Sequence, residues 1–174
     1  MAAGRGRGTP GQRRNRPVTT SSRSRARRWR APEVVQTSGM DCGPAALKCL
    51  LEGFGIPVSY GRLREACQTG VDGTSIDTLE EVAVRLGLEA EQIVLPVDHL
   101  ALPEARALPA IVVTLQPGGV THFVVVWRRV GRWVQVMDPA QGRRWLSLEA
   151  LERELYVHAT EVAADWAVRI RRLR

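Results

Sequence analysis

The 174 residues carry a formal net charge of +7 and are 44% hydrophobic, which suits one compact domain with a sizeable core. No apolar run approaches about 18 residues and no apolar stretch follows the charged N-terminus, so we expect neither a membrane span nor a secretory signal peptide. Three cysteines, an odd and low number, indicate a reducing, cytoplasmic setting and not a disulfide-bonded secreted domain.

The charge is distributed unevenly along the chain. Residues 1–30 hold ten arginines and no acidic residue, and residues 169–174 add four more arginines. Residues 31–168 hold 11 basic and 18 acidic side chains, which is a net charge of −7. We therefore divide the chain into a basic tail at 1–31, an acidic domain at 32–168 and a basic C-terminal end at 169–174.

The tail at 1–31 consists mainly of Arg, Gly, Ser, Thr and Pro, with almost no apolar side chains. Such a composition buries too little surface to offset the entropy of ordering, so we expect disorder. A solvated extension, weak contact with anionic lipid or nucleic acid, and a targeting peptide remain open interpretations. No aromatic residue beyond Trp29 is interleaved with the arginines, so specific nucleic-acid recognition is not indicated.

The stretch at 36–46 is the one on which the chemical interpretation depends. Its sequence, QTSGMDCGPAA, passes from a polar loop into apolar residues at helical spacing. Pro44 is tolerated in a first helical turn and Gly53 favours termination, so a helix of about three turns should begin at Cys42. There the thiol meets unpaired backbone N–H groups and the positive end of the helix dipole, which both stabilise the nucleophilic thiolate.

Two shorter helices are predicted after this one, at 60–66 and 75–87, each opened by a serine cap. Cys49 and Cys67 have no nearby helix start or acid–base partner, so we interpret both as buried, small hydrophobic residues. The spacing of the cysteines and histidines does not suit zinc. We expect neither a metal ion nor a cofactor.

The C-terminal half is rich in β-branched and apolar residues separated by short turns. The predicted strands, of which the first is the weakest, lie at 89–95, 110–115, 121–127, 132–137 and 144–145. Ser147 can cap one more helix. Short turns between consecutive strands indicate an antiparallel meander. Helices followed by strands indicate an α+β fold, with N-terminal helices packed on a C-terminal antiparallel sheet.

Three chemically reactive side chains fall at the ends of predicted elements. His122 lies at the start of one strand and Asp138 at the end of the next, so antiparallel pairing makes them neighbours. A helix packed on this sheet can present Cys42 to the His122 ring, which gives a nucleophile, a general base and a residue that orients the imidazole. The Gln36 amide, in the loop before the helix, can join the Cys42 backbone N–H as an oxyanion-hole donor.

Taken singly, each of these residues also has a structural interpretation. A cysteine at a helix start, a histidine on an apolar strand and an aspartate before proline are commonly packing or turn residues. Their order within one domain, each at the end of an element, favours the catalytic interpretation. His99 lies in a proline-rich loop and His158 has no acid at a hairpin-related position, so both are weaker candidates for the base.

The chain resembles the bacteriocin-processing cysteine peptidases in the run Gln36-x5-Cys42-Gly-Pro-Ala-Ala, in Thr121-His122-Phe and in Met137-Asp138-Pro139. In that family the domain is the N-terminal part of peptidase-containing ABC transporters, and some relatives stand alone. The resemblance, over about residues 33–160, implies a papain-like fold and cleavage of a peptide precursor directly after the Gly-Gly pair of its leader. Carried over, it makes Cys42 the nucleophile, His122 the general base, Asp138 the orienting residue and Gln36 the oxyanion-hole donor.

Two features depart from the family pattern. Ala46 and Leu47 stand where a second cysteine often follows, and Cys49 lies further along. No transmembrane or nucleotide-binding region follows the domain, so export would require a separate ABC transporter, which would bring a cytoplasmic protein to the membrane. We expect a leader peptidase linked to peptide export. Another papain-like thiol amidase or acyltransferase, and a non-catalytic module that binds leader peptides, are the alternatives.

Overall fold

The computed structural model describes residues 29–157, so the expectations for 1–28 and 158–174 lie outside the described residues. Within this range the helices are α1 (Cys42–Gly53), α2 (Tyr60–Ala66), α3 (Ile76–Arg85) and α4 (Leu148–Glu154). The strands are β1 (Ala110–Leu115), β2 (Thr121–Val130), β3 (Trp133–Asp138) and β4 (Gly142–Ser147). A 3₁₀ turn spans Val97–His99. None of these helices has both the length and the apolar character needed to cross a lipid bilayer.

The helix starts predicted from the serine caps are confirmed. Ser75 accepts a hydrogen bond through Oγ from the backbone N–H of Thr78 at 3.2 Å. Ser147 accepts one from the backbone N–H of Ala150, also at 3.2 Å. Ser59 precedes α2 as expected, but its side chain makes no capping hydrogen bond. Local capping chemistry therefore explains where two of these three helices begin.

The four strands form one antiparallel sheet in the order β1-β2-β3-β4, so the predicted meander is confirmed. In the central pair, Val125 lies opposite Met137, and the register shifts between Val126 and Arg128. Beyond this shift β2 continues to Val130, past its predicted end. This shift is a β-bulge, which takes up one extra residue of β2, so β2 and β3 stay paired beyond it.

Helix α1 packs across one face of the sheet with small residues at the contact. Ala45, Ala46 and Cys49 are fully buried there. Gly53 lies against the buried indole of Trp127, and a Cβ at this glycine would overlap the ring. On its other side α1 packs against α2 and α3 through apolar side chains, namely Leu47, Leu51, Leu63, Leu79 and Val82. Ala45 near the start of α1 and Gly53 at its end both pack on the sheet, so the helix is fixed along its length relative to β2.

The opposite face of the sheet packs on α4 and on the loop before β1. Its buried side chains are Leu100, Val124, Val126, Val134, Val136 and Leu151. The centres of β2 and β3 are thus covered on both faces, which explains why β2 reads as a continuous apolar run instead of alternating. The polar His122 and Asp138 lie at the ends of these buried strands.

The prediction of a strand at 89–95 is wrong. These residues form no strand, and Gln92 Nε2 donates hydrogen bonds to Asp77 Oδ1 at 2.8 Å and to Glu80 Oε2 at 2.6 Å. Side chains of α3 therefore hold the segment along the helix. The outer edge of β1, which such a strand would have joined, is met instead by the chain that follows α4.

The folded unit begins earlier than the predicted boundary at residue 32. Ala31 is fully buried, and its N–H donates to Gln135 Oε1 at 2.8 Å. Its carbonyl accepts a hydrogen bond from Arg143 Nη1 at 2.8 Å. Trp29 stacks on the Arg128 guanidinium. The disorder predicted for 1–31 is therefore wrong for residues 29–31, because side chains of the distant sheet satisfy and cover this short segment.

Candidate active site

Cys42 is the first residue of α1 and is partly exposed. Burial by itself would raise the pKa of its thiol. Hydrogen bonds from the His122 ring and from the backbone N–H of Phe123, the charge of His122 and the backbone N–H of Gly43 outweigh that effect and lower the pKa below its usual value. The position at a helix start thus favours the thiolate, as the sequence predicts.

The two other cysteines behave in the opposite way. Cys49 is fully buried, and burial together with the charge of Glu52 raises its pKa to about 12. Burial raises the pKa of Cys67 to about 11. The prediction that both are buried, small hydrophobic residues is confirmed. Among the three thiols, only that of Cys42 is prepared for nucleophilic chemistry.

His122 and Asp138 are joined across β2 and β3. His122 Nε2 lies 2.8 Å from Asp138 Oδ1, and both side chains are buried, with 7% and 1% of their surface exposed. Since Nε2 faces the carboxylate, Nδ1 is the ring nitrogen left to interact with the Cys42 sulfur. The structure therefore brings Cys42, His122 and Asp138 together: the His122 ring is hydrogen-bonded to the carboxylate, and its interaction with the thiol lowers the pKa of Cys42.

Asp138 is held by more than the histidine. The backbone N–H of Ala140 donates to Oδ1 at 2.9 Å, and Arg144 Nη2 lies 3.4 Å from Oδ2. Burial would raise the pKa of Asp138, but the His122 hydrogen bond, the Ala140 N–H and the charges of His122 and Arg144 lower it. The carboxylate therefore stays ionised and fixed in orientation. The sequence reasoning missed Arg144, since its contact depends on the pairing of β3 with β4.

The charge state of His122 follows from these partners. Burial would lower the pKa of the ring, but its hydrogen bonds to Asp138 and Cys42 and the negative charges of both raise it to about 9. A raised histidine pKa beside a lowered thiol pKa favours the imidazolium–thiolate form of the pair over the neutral form. Such a pair supplies a nucleophile and a proton donor at the same place.

Gln36 lies in the loop that leads into α1, at the same end of the sheet. Its backbone N–H donates to the carbonyl of Pro139 at 2.9 Å, directly beyond Asp138. Its side-chain Oε1 is buried and has no hydrogen-bond partner among the described residues. The loop is thus tied to the turn after β3, while no described side chain engages the amide oxygen.

A second ion pair supports the residue that precedes Cys42. Asp41 is fully buried; its Oδ1 lies 2.8 Å from Arg64 Nε and its Oδ2 accepts a hydrogen bond from Thr37 Oγ1 at 2.7 Å. The carboxylate makes no capping bond to α1, so it serves the loop instead. The sequence reasoning gave Asp41 no role. An acid directly before a helix start was the available signal, but Arg64 lies 23 positions away on α2.

An apolar groove of about 860 Å³ runs along the helical half of the domain. The side chains that line it come from α1, α3 and the start of β1, and include Leu47, Leu50, Phe54, Ile76, Leu79 and Ile111. Glu80, Glu89 and Glu91 also line it. A concave apolar surface with a few charged groups suits an extended or helical peptide partner.

Within residues 29–157 no group of three or more His, Cys, Asp and Glu side chains could hold a metal ion. His99 is exposed on the 3₁₀ turn. His158 lies outside the described residues. The described side chains at the site are those of a thiol, an imidazole, carboxylates and an amide.

A family model described as Peptidase C39 family matches residues 30–160. The chain is 27% identical over 121 residues to LagD, the lactococcin-G-processing and transport ATP-binding protein of Lactococcus lactis subsp. lactis. This match covers 70% of the chain and 17% of LagD, so the chain spans only a small part of that relative's length.

Two solved structures share the fold. The peptidase domain of Streptococcus ComA, a bifunctional ABC transporter of a quorum-sensing pathway, matches with a TM-score of 0.64 and 27% identity over 71% of this chain and 90% of that one. A double glycine motif protease from an AMS/PCAT transporter, in complex with the leader peptide, matches with a TM-score of 0.62 and 24% identity over 77% and 89%. The expected papain-like α+β fold is confirmed.

Proposed function

Because the chain belongs to the Peptidase C39 family and is a cysteine peptidase, we propose that it cleaves bacteriocin-like peptide precursors directly after a Gly-Gly pair that ends their leader. The observation that carries this proposal is the hydrogen-bonded His122–Asp138 pair, whose ring interacts with Cys42 at the N-terminus of α1. Relatives named for lactococcin processing and for a double glycine motif supply the substrate class.

In the first half-reaction the Cys42 thiolate attacks the carbonyl carbon of the second glycine. The carbonyl oxygen becomes an oxyanion as the carbon–sulfur bond forms. The His122 imidazolium then gives its proton to the amide nitrogen, the carbon–nitrogen bond breaks, and the mature peptide leaves with a free amine. Asp138 keeps the ring oriented and stabilises its positive charge throughout.

In the second half-reaction the neutral His122 ring removes a proton from water, and the hydroxide attacks the thioester carbon. The carbon–sulfur bond breaks, the leader leaves with its new glycine carboxylate, and the thiolate–imidazolium pair is restored. Both halves pass through an oxyanion. The Cys42 backbone N–H, in the first turn of α1, is one donor for it. The side-chain amide of Gln36 is the other, on a loop that the Gln36 backbone N–H ties to the Pro139 carbonyl.

The Gly-Gly requirement follows from exclusion. A narrow cleft admits two residues without side chains where any Cβ would clash. The apolar groove along α1 and α3 supplies the second contact, since leader peptides are commonly amphipathic helices with one apolar face.

Export of the mature peptide belongs to an ABC transporter in this proposal, with the peptidase acting on the cytoplasmic side. This assignment is supported by the relatives, in which the matching domain is part of a transport ATP-binding protein. Hydrolysis of the thioester releases the leader with its new C-terminal glycine, while the product that follows the second glycine is the cargo.

The deciding experiment is cleavage of a synthetic precursor that carries a Gly-Gly leader, followed by mass spectrometry. We expect one cut, directly after the second glycine, and none when that glycine is replaced by valine. Cys42→Ala should abolish the cut and retain leader binding, whereas Cys67→Ala is the matched control that should retain cleavage.

Two other outcomes would overturn the proposal. Turnover of unrelated amides or acyl transfer without leader cleavage would make the chain another papain-like thiol enzyme. Leader binding by the unmodified chain without any cleavage would make it a binding module.

A further inference from the structure

Three tryptophan rings and a valine are exposed on one side of the sheet. The exposed fraction is 71% for Trp29, 47% for Val130, 47% for Trp133 and 42% for Trp145. Single exposed apolar side chains are ordinary, but a contiguous group of large rings marks an interaction surface.

The strand register makes these residues contiguous. Val130 pairs with Trp133 at the β2–β3 turn, and Gln135 pairs with Arg128 on one side and Trp145 on the other. Trp133 and Gln135 are two residues apart on one strand, so their side chains point to the same face. The rings of β3 and β4 therefore lie side by side.

Arginine side chains hold the three rings. Arg128 Cζ lies 3.3 Å from the centroid of the Trp29 ring and 5.2 Å from that of Trp145. Arg132 Cζ lies 5.5 Å from the centroid of the Trp133 ring. Such cation–π contacts stabilise each ring in an exposed position. We call this set the Trp–Arg face; it comprises Trp29, Arg128, Val130, Arg132, Trp133 and Trp145.

The Trp–Arg face continues the side of the sheet that α1 covers. Met137 and Trp133 lie four residues apart on β3 and so share a face, but Met137 is buried beneath α1 and Trp133 is half exposed. Among residues 29–157, no helix covers the end of the sheet near the β2–β3 turn. The face is thus an uncovered end of an otherwise packed surface.

The charge around this face is positive, although the domain as a whole is acidic. Residues 122–137, on either side of the β2–β3 turn, contain Arg128, Arg129 and Arg132 and no acidic residue. The two arginines of β4 are ion-paired, Arg143 with Glu33 and Arg144 with Asp138 and Glu154. The chain that enters the face at Trp29 is preceded by residues 1–28, which contain nine arginines and no acidic residue. A strongly basic segment therefore joins the domain at the point where the tryptophans are exposed.

We propose that the Trp–Arg face docks the protein onto the surface of an anionic lipid bilayer. Tryptophan is favoured at the membrane–water interface, where its ring meets acyl chains and its N–H meets headgroups. Basic segments are attracted to the negative surface potential of anionic lipids, and the attraction amounts to about fivefold in binding for each arginine close to the surface. The face and the adjoining basic segment supply both contributions together, as stable peripheral binding requires.

Nucleic acid is the competing partner, since arginines neutralise phosphates and aromatic rings stack on bases. Base stacking needs open ring faces, and an arginine already lies over one face of each ring. Insertion into a bilayer interface does not require open ring faces, because it requires only that the rings move out of water. The contacts within the face therefore favour lipid.

Docking in this way leaves the catalytic end of the domain accessible. His122 lies near the start of β2 and Val130 at its end, so about 26 Å of strand separates the site from the face. A bilayer against the Trp–Arg face would meet the β2–β3 turn, while the N-terminus of α1, which carries Cys42, points away from the bilayer. The proposal is independent of the substrate, since it concerns residues that the peptidase chemistry does not use.

The test is co-flotation of the full-length chain with phosphatidylcholine vesicles that contain or lack phosphatidylserine. We expect binding only to the vesicles with phosphatidylserine, weakened by added salt. Arg132→Gln should lower the partition coefficient about fivefold, as expected for the loss of one surface charge. The double change Trp133→Ser and Trp145→Ser should lower it further. Val71→Ser, at another exposed apolar residue, is the matched control and should bind as the unmodified chain does.

Each contrary result overturns the proposal. The contrary results are no binding to either vesicle type and equal binding to both. Unchanged binding by the double variant, Trp133→Ser with Trp145→Ser, is the third, and it would assign binding to residues 1–28 alone. A stronger effect of the same changes on binding to a single-stranded oligonucleotide would instead assign the face to nucleic acid. Circular dichroism of each variant ensures that a loss of binding is not a loss of fold.

Discussion

His122 Nε2 lies 2.8 Å from Asp138 Oδ1, although the two residues are sixteen positions apart in the chain. The distance results from the β2–β3 hairpin, which returns the chain to its own starting end. Both side chains are buried, so the pair exchanges little with solvent and keeps one orientation. The catalytic competence proposed for Cys42 depends on this pair, because it holds the ring that contacts the sulfur.

Replacement of Asp138 by asparagine tests the orienting role. The change keeps the size of the side chain but removes the negative charge that raises the pKa of His122. We expect kcat/KM for leader cleavage to fall by roughly 100-fold or more, with KM little changed. NMR titration of the ring should show a pKa below the value of about 9 in the unmodified chain. Unchanged kcat/KM in Asp138→Asn would remove the carboxylate from the mechanism.

The pH dependence of thiol alkylation tests the thiolate–imidazolium pair. Because the pKa of Cys42 is lowered, iodoacetamide should label it rapidly near neutral pH, whereas Cys49 and Cys67, with pKa values of about 12 and about 11, should label slowly. The rate of peptide cleavage should fall as pH rises through about 9, since neutral His122 can no longer protonate the leaving amine. His122→Ala should slow labelling of Cys42 at neutral pH. Equal, slow labelling of all three cysteines in the unmodified chain would contradict an activated Cys42.

Removal of Arg64 tests the ion pair beneath the Cys42 loop. Arg64→Ala leaves the buried Asp41 carboxylate without its cation, so we expect a loss of about 1–3 kcal/mol of stability near neutral pH. Folding lowers the pKa of Asp41. The stability that its ionised carboxylate contributes is therefore fully present above the usual pKa of 3.8 and is lost as pH falls through the lowered pKa. The difference between the two proteins in urea unfolding should therefore shrink in acid. Arg62→Ala is the control. Arg62 lies on the same helix but does not belong to the Asp41–Arg64 ion pair, so its removal should change stability little.

Gly53 tests the close contact between α1 and the sheet. Gly53→Ala places a methyl group into the indole of Trp127, so we expect a loss of about 1–3 kcal/mol despite the better helix propensity of alanine. Gly61→Ala, in the first turn of α2, has nothing within 4 Å of its new Cβ and should instead gain up to about 1 kcal/mol. Thermal unfolding of both variants measures the contrast. Similar stabilities would show that α1 does not pack as closely as described.

Ile76 tests the proposed leader-binding groove. It lines the groove and is 40% exposed, so Ile76→Glu should fold normally but repel the apolar face of a leader helix. We expect KM for a full precursor to rise about fivefold or more, while cleavage of a short peptide that spans only the Gly-Gly site is unchanged. Val84→Glu is the matched control, since Val84 is 52% exposed on the same helix but does not line the groove. An equal effect of both changes would place the leader elsewhere.

Much of the candidate site could be predicted from the sequence because its signals are local. Pro44 and Gly53 mark the two ends of α1, and so place Cys42 at a helix N-terminus. Short turns between β-rich segments predict the meander, and the meander makes His122 and Asp138 neighbours. Each of these inferences requires only a residue type and its immediate surroundings along the chain.

Other features were missed or misassigned because they depend on which distant surfaces meet. Arg64 reaches Asp41 only when α2 packs beside α1, and Arg144 reaches Asp138 only in the register of β3 with β4. The alternation at 89–95 suggested a strand, but α3 side chains bind the segment instead. Residues 29–31 looked like tail by composition, yet the sheet buries Ala31.

The sequence by itself determined where the helices begin, in what order the four strands follow one another and in what order the reactive side chains occur, because backbone preferences and capping act over a few residues. Only the tertiary structure decided how those side chains are charged and which surfaces remain uncovered. The pKa of His122 depends on Asp138 of β3 and Cys42 of α1, and Trp133 is exposed because α1 covers only the other end of this face. Desolvation and pairing depend on the full packed environment of a group, which a local pattern does not contain.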